Sequence, residues 1–296
     1  MARGTTTVTT EEVDEIQIHP LQNASGVFHI IGKTGLFYNR MAMKAKQQIL
    51  FPSGPKNATD RAAQMKHDPM AEYRDSVYKI REEGPTRLVF PANAVKGAMS
   101  VAALDLPSTK RTEVERLVHI PGQHIHIWGV PALRMDVVRN SGFVKAPDIR
   151  TRAYLARWCA IVTVEWILPK LKAADVSNLL MAGGRICGIG DYRQEKGSGD
   201  GGMFEICEAG EPDFLSIQKQ GGRAAQDAAL QTPQFANDET QELYEWYVSE
   251  ISRRASRREA EEHETPSPRR RGGDPRLPPP ERLPVRSKAN GRASRA

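Results

Sequence analysis

The chain has 296 residues, 39% of them hydrophobic, and a formal net charge of +6, a length that allows one or two domains. No stretch approaches the ~18–20 continuous apolar residues of a membrane helix, and the opening MARGTTTVTTEEVDE is neither a secretory signal nor an Arg-rich transit peptide, so a cytoplasmic protein without a membrane partner is expected. Cys159, Cys187 and Cys207 form no CxxC pair; they read as reduced, buried thiols and exclude a disulfide framework.

In chain order, residues 1–14 are expected to be disordered. Short β-favouring runs follow at 16–18 and 27–31, and Gly32-Lys33-Thr34-Gly35 breaks them. NRMAMKAKQQIL, residues 39–50, places Met41, Ala45 and Gln48/Ile49 at helical spacing, with Lys44 and Lys46 off that face and Asn39 as a cap. Residues 52–69 read as an exposed loop. Tyr73, Val77 and Ile80 fall at i, i+4 and i+7 of a helix over 70–80. A strand from Arg87 to Phe90 leads through Pro91-Ala92-Asn93 into a closely packing, Ala-rich helix over 94–104, and Thr112–Leu117 forms another short helix.

Residues 118–128 alternate as a strand, and residues 132–152, rich in Arg and Asp with Gly and Pro between them, read as a polar loop or hairpin. CAIVTVEWIL, residues 159–168, is the clearest strand and belongs in the middle of a sheet. LKAADVSNLLMA, residues 171–182, is the clearest amphipathic helix, and Gly183-Gly184 is expected to end it. A Gly-rich loop then leads into a strand from Met203 to Cys207.

The core is thus assigned to residues 15–207. Residues 208–237 read as a polar linker. Residues 238–262 read as a helix opened by acidic residues, as the helix dipole favours, with Leu243, Trp246 and Tyr247 on an apolar face. Residues 263–296 read as a disordered Arg/Pro-rich tail that cannot bury enough surface to fold. From Arg253 onward, 13 Lys and Arg stand against 6 Asp and Glu, a local balance of +7. The high pI therefore belongs to the tail, and a nucleic-acid surface on the core has to come from local clustering.

No Walker motif, GxSxG or HExxH is present. Gly188-Ile189-Gly190 follows a helix instead of opening one, the reverse of a dinucleotide fingerprint. Asp191-Tyr192-Arg193-Gln194-Glu195-Lys196-Gly197 offers a stacking ring and two cations on a glycine-rich loop, where backbone amides of Gly188 and Gly190 can approach a phosphate. Lys44, Lys46, Lys96, Arg134, Arg139, Arg150 and Arg152 are candidates for the rest of a phosphate-tracking groove; each also fits a solvated surface position. His119, His124 and His126 fit satisfied or solvent-facing side chains better than zinc ligands. Asp136, Asp148 and Asp191 form no defensible metal spacing.

The order strand, helix, Gly-rich turn, basic loop, Gly patch and final strand over 159–207 resembles the C-terminal half of the RAMP superfamily, RRM-like proteins that form the RNA-binding backbone of CRISPR effectors. Their glycine loop has the general form G-h-G-x-x-[RK]-x-x-G-x-G, and Gly188, Gly190, Arg193, Lys196, Gly199 and Gly202 stand in comparable order. The start of the helix at Pro91-Ala92-Asn93-Ala94-Val95-Lys96-Gly97-Ala98 is also similar to one they carry. Residues 27–207 further resemble an uncharacterised family of tailed-bacteriophage proteins, at NRMAMKAKQQIL, HDPMAEYRDSVY, FPANAVKGA and GIGDYRQEKGSGDGGMFEI.

These resemblances imply an α+β fold with a ferredoxin-like/RRM-like antiparallel sheet, elaborated by inserts at about residues 39–86 and 130–156. The expected function is non-catalytic binding of single-stranded RNA or DNA in a phage setting within the bacterial host cytoplasm, by a homo-oligomeric backbone subunit that needs no cofactor. Phosphates would meet the Lys and Arg side chains and bases would stack on Tyr192. Two alternatives stay open: a phage structural or assembly protein, and a RAMP-type RNA endonuclease using His119, His124 or His126 as general base.

Overall fold

The computed structural model describes residues 20–52, 67–139, 146–197 and 199–264, with side chains through Arg257. The expectations for the first 14 residues, the strand at 16–18, most of the loop at 52–69 and the tail from 265 lie outside these residues. The chain begins with β1 (Gln22–Gly32), β2 (Leu36–Phe37), α1 (Met43–Leu50), α2 (Pro69–Ser76), β3 (Tyr78–Lys79), β4 (Leu88–Pro91), α3 (Ala92–Ala102), α4 (Arg111–Leu117) and β5 (Val118–His119). It continues through β6 (His124–Trp128), β7 (Ala132–Arg139), β8 (Pro147–Leu155), β9 (Cys159–Leu168), α5 (Ala173–Ala182), β10 (Phe204–Cys207), α6 (Pro212–Gln220), α7 (Arg223–Gln231) and α8 (Asp238–Glu264). Contacts divide the chain into residues 1–247 and 248–296; the architecture below belongs to the first unit.

The fold is α+β. β1 and β9 pair antiparallel along their length, from Gln22 opposite Leu168 to Ile31 opposite Cys159. β10 flanks β1 and β6 flanks β9, also antiparallel. The resulting order β10-β1-β9-β6 is that of a four-stranded ferredoxin-like sheet, and β4 and β3 extend its edge. Alternation turns Ala24, Phe28 and Ile30 of β1 and Ala160, Val162 and Val164 of β9 toward α3 and α5. There they meet Val95, Ala98 and Met99 from α3 and Val176, Leu179 and Leu180 from α5. Full burial of each larger aliphatic chain contributes about 1.5–3 kcal/mol. Small residues let the helices close in: a Cβ at Gly183 would sit 2.9 Å from the Met99 backbone nitrogen.

Several elements depart from the sequence reading. α2 stops at Ser76, so Val77 and Ile80 are not helical; Val77 is buried as the chain turns into β3. α1 forms, but none of its residues is buried, and Met41 and Ile49 are 50% and 67% exposed. Its first turn is bonded not by Asn39 but by Asp75 of α2, whose Oδ2 accepts from the Met43 amide at 3.0 Å. Gly183-Gly184 does not end α5; a π turn runs on to Cys187, and Gly188 at φ +70° stops it. On α8, Leu243 and Tyr244 pack on the core, while Trp246 is 65% exposed.

The stretch read as a linker carries α6 and α7. Phe214 and Ile217 of α6 join Ile31, Trp128 and Cys159 in a second apolar cluster on the other face of the sheet. From α7, the fully buried Gln226 accepts from the Arg87 and Leu88 amides, both at 2.8 Å. It donates to the carbonyls of Ile127, Gly129 and Gly221 at 2.8, 3.1 and 2.8 Å. A polar composition hid this anchoring role, because a buried amide with all partners in place is as much core as a leucine. Farther along that face Val27 is 60% exposed and His124 is exposed.

Candidate nucleic-acid interface

β7 and β8, inserted between β6 and β9, form with β2 a second antiparallel sheet in the order β2-β8-β7. Period-two alternation sorts this insert into two faces. Leu133 and Met135 turn inward with Ala153 and Thr151 opposite them. Arg134 and Asp136 take the other face, opposite Arg152 and Arg150 respectively. Tyr154 continues that face, and β2 sets Phe37 beside it, the two ring centroids 4.7 Å apart.

The glycine loop completes the cluster by pressing onto β2. The Asp191 amide donates to the Phe37 carbonyl at 3.0 Å, and the Gly202 amide to that of Gly35 at 2.9 Å. Gly190, at φ +93°, allows this approach, since a Cβ there would stand 2.5 Å from the Phe37 oxygen. Gly202, at φ +70°, is constrained the same way by the Ile189 carbonyl. Tyr192 itself sits at φ +54°, a conformation uncommon outside glycine.

Three aromatic rings and two guanidinium groups then interleave. Arg134 lies 5.0 Å from the Phe37 centroid and 5.1 Å from that of Tyr154. Arg152 lies 5.5 Å from Phe37 and 4.5 Å from Tyr192, within cation–π range. Arg152 is only 4% exposed, so its charge requires partners. It has two: Nη2 donates to Asp136 at 3.2 Å and Nη1 to Asp191. Asp136 also accepts from Arg134 Nε at 3.0 Å. The two aspartates are thereby committed to guanidinium groups, and with Asp148 they make no metal site. Among the described residues no group of His, Cys, Asp and Glu is placed to hold a metal ion.

An open cleft of about 1020 Å³ borders this cluster, lined among others by Arg40, Lys44, His67, Arg150, Arg152 and Asp191. Arg150 leaves 54% of its side chain in solvent, its nearest carboxylate, Asp191, being 3.9 Å away. His67 is held at both ring nitrogens, by Glu72 at 2.9 Å and Asp148 at 3.1 Å.

Of the sequence candidates, the structure brings together Lys44, Arg134, Arg150, Arg152, Gly190 and Tyr192 around this cleft and cluster, whereas Gly188 is buried with its amide donating to the Gly183 carbonyl at 2.9 Å and offers nothing to a phosphate. Lys46 is half-buried on α1 and is absent from the cleft lining. Lys96 lines a separate pocket of about 400 Å³ with His119 and Gln123. Arg139 takes the alternate register, that of Met135, at the exposed end of β7. Arg193 and Lys196 do not project freely: both reach Glu195 Oε1 at 3.1 Å. Of the three histidines, His119 and His124 are exposed; His126 bonds Thr86 at 2.8 Å, and burial, followed by the Arg223 charge, holds its pKa below the ordinary value. Burial likewise pushes the Cys159 thiol up to about 12 and those of Cys187 and Cys207 up to about 11.

Sequence reasoning missed Phe37, Tyr154 and Arg40. The i, i+2, i+4 run Arg150, Arg152, Tyr154 was a usable signal once 147–155 is read as a strand. Phe37 and Arg40 had none, since they join the site only through pairing and packing with distant segments.

Among the described residues, no helix is long and apolar enough to cross a membrane. No family model matches the chain, and no curated protein does. Among solved structures, the chain is similar to one in the cryo-EM structure of the Type III-B Cmr-beta bound to cognate target RNA. Identity is 13% and the TM-score 0.31, over 63% of this chain and 59% of that one; the match thus spans less than two thirds of the neighbour's length.

Proposed function

We propose that the chain binds single-stranded nucleic acid, RNA or DNA, along the cleft beside the β7–β8 hairpin, and does not cleave it. The observation that carries this reading is the interleaving of Phe37, Tyr154 and Tyr192 with Arg134 and Arg152 at the edge of an open, cation-bearing cleft. Arginine-backed aromatic faces stack on bases without regard to sequence, and flexible cations beside them meet phosphates. Arg150, Lys44 and Arg40 are the phosphate contacts; Tyr192 and Tyr154 are the stacking faces. Arg152 positions Tyr192 and keeps its charge for Asp136 and Asp191.

Binding without cleavage is supported by the histidines. His119, His124 and His126 do not line the cleft, and His67, which does, has both ring nitrogens bonded to carboxylates. A general base needs one nitrogen within reach of the substrate proton. The exposed run Ile49, Leu50, Phe51, each at least 67% accessible, favours a further contact with another protein chain at the end of α1, in keeping with an oligomeric backbone subunit. Photo-crosslinking of the full chain to thio-substituted oligonucleotides tests the binding mode. Crosslinks are expected in the peptides containing Tyr154 and Tyr192, with the oligonucleotide intact. Crosslinks confined to residues 265–296 would overturn the reading.

A further inference from the structure

A second basin lies where α2, β3, β4 and α7 meet. It has a volume of about 510 Å³ and is lined by Arg40, Arg74, Lys79, Arg81, Arg87 and Asp227, among others. Among the described residues, Arg87 alone of these cations has a carboxylate partner: Asp227 takes it in a two-point bond at 2.7 and 3.1 Å. Arg40, Arg74 and Lys79 are held by neutral oxygens. Arg40 Nη1 donates to the Asp75 carbonyl at 3.1 Å, and Arg74 donates to the Leu230 and Gln231 carbonyls at 2.9 and 3.0 Å. Lys79 Nζ donates to the Arg74 carbonyl at 2.8 Å. Arg81 is exposed.

Carbonyl anchoring fixes where these charges point and leaves them unneutralised. The lining itself holds one acid, Asp227, against five cations, and Asp75 acts on Lys79 from beside it, so positive charge is in surplus. Lys79 registers the crowding: burial, more than any neighbour, lowers its pKa, and the Arg40, Arg74 and Arg87 charges push the same way against Asp75. Holding cations together at such a site costs free energy that an anion would recover.

We propose that this basin binds a phosphorylated ligand through a group carrying at least two negative charges: a diphosphate, or the terminal phosphomonoester of a nucleotide or strand. A single carboxylate or an internal phosphodiester brings one charge and would leave most of the surplus in place. Planar guanidinium forks suit phosphoryl oxygens, and the volume lies in the roughly 300–1,000 Å³ range of small-ligand sites. The inference does not rest on what the aromatic cleft binds, although Arg40 lines both.

Isothermal titration of the full chain with inorganic pyrophosphate, at fixed salt, tests it. Saturable binding is expected, weakened at least about tenfold in the double variant Arg81→Ala, Lys79→Gln. That variant spares the arginines that tie the fold to backbone carbonyls, and Gln retains a donor for the Arg74 carbonyl. The charge-matched control Lys170→Ala, Lys172→Ala should bind pyrophosphate as the wild type does. Competition then separates the sources. A 5′-phosphorylated oligonucleotide that displaces pyrophosphate better than its 5′-hydroxyl twin identifies a strand end; displacement by nucleoside diphosphates alone identifies a free nucleotide. Either supports the site. Absence of saturable pyrophosphate binding by the wild type, or equal affinity in the double variant, would overturn it, whatever the cleft does with oligonucleotides.

Discussion

The two sheets of this molecule are held together by different physics. The β10-β1-β9-β6 sheet carries α3 and α5 on one face and closes with aliphatic chains, close helix approach and saturated amide bonds. The β2-β8-β7 sheet turns its outer face into a stack of rings and guanidinium groups, where Arg152 is buried between two aspartates. Removing a part from the first leaves a hole. Removing a part from the second can leave a charge. On this account stability concentrates in the first sheet and the proposed recognition in the second, and substitutions should separate the two.

The largest loss of stability is expected from Trp158→Ala. Trp158 is fully buried, and its indole donates to the Thr34 carbonyl at 2.8 Å. Truncation should destabilise by about 3–5 kcal/mol in urea unfolding. Gln226→Leu should follow at about 2–3 kcal/mol, because the Arg87 and Leu88 amides and three carbonyls lose their partner while the volume is kept. A neutral result would mean that water replaces the amide and that α7 is not an anchor.

Arg152→Met sharpens the contrast. Removing one partner of a buried ion pair usually costs about 3–5 kcal/mol, because the other charge is left uncompensated. The aspartates it leaves retain cations, Arg134 at 3.0 Å from Asp136 and Arg150 at 3.9 Å from Asp191. With both aspartates still facing a cation, a smaller loss of about 1–2 kcal/mol is expected by urea unfolding; a loss as large as that of Trp158→Ala would place the second sheet's stability in its charges. The smallest effect is at the cysteines. The Cys159 thiol is raised from 9.0 to about 12, so the folded state favours the protonated form. Its contribution is complete below pH 9 and lost as pH rises toward 12. Native protein at pH 8 should accordingly react slowly with iodoacetamide at Cys159 and Cys187, and urea should release both; fast native labelling would show that the core around them opens.

The helix-covered sheet was largely legible because its signals are local. CAIVTVEWIL is β-branched and continuous, and LKAADVSNLLMA is periodic; they form β9 and α5 nearly where expected. Residues 208–237 were not legible, because Gln226 anchors α7 through amide bonds to β4 and to carbonyls that only the fold brings near. The site was half visible. Arginines at 134, 150 and 152 could be named from charge alone, but what Arg152 does depends on Asp136 and Asp191 from two other segments. Arg193 and Lys196 failed as free cations for a local reason: Glu195, two residues from one and adjacent to the other, takes both.

The central claim, that the second sheet's cleft grips single strands, is tested most directly by fluorescence anisotropy with an unstructured labelled oligonucleotide at fixed salt. The triple variant Lys44→Ala, Arg150→Ala, Tyr192→Ala of the full chain should bind at least about tenfold more weakly than wild type, because one stacking contact is worth roughly 1–3 kcal/mol and about 1.4 kcal/mol is one decade. The charge control Lys170→Ala, Lys172→Ala should bind nearly as wild type does. Equal affinities for the triple variant and the control would contradict the account and leave the interleaved rings and arginines as packing alone.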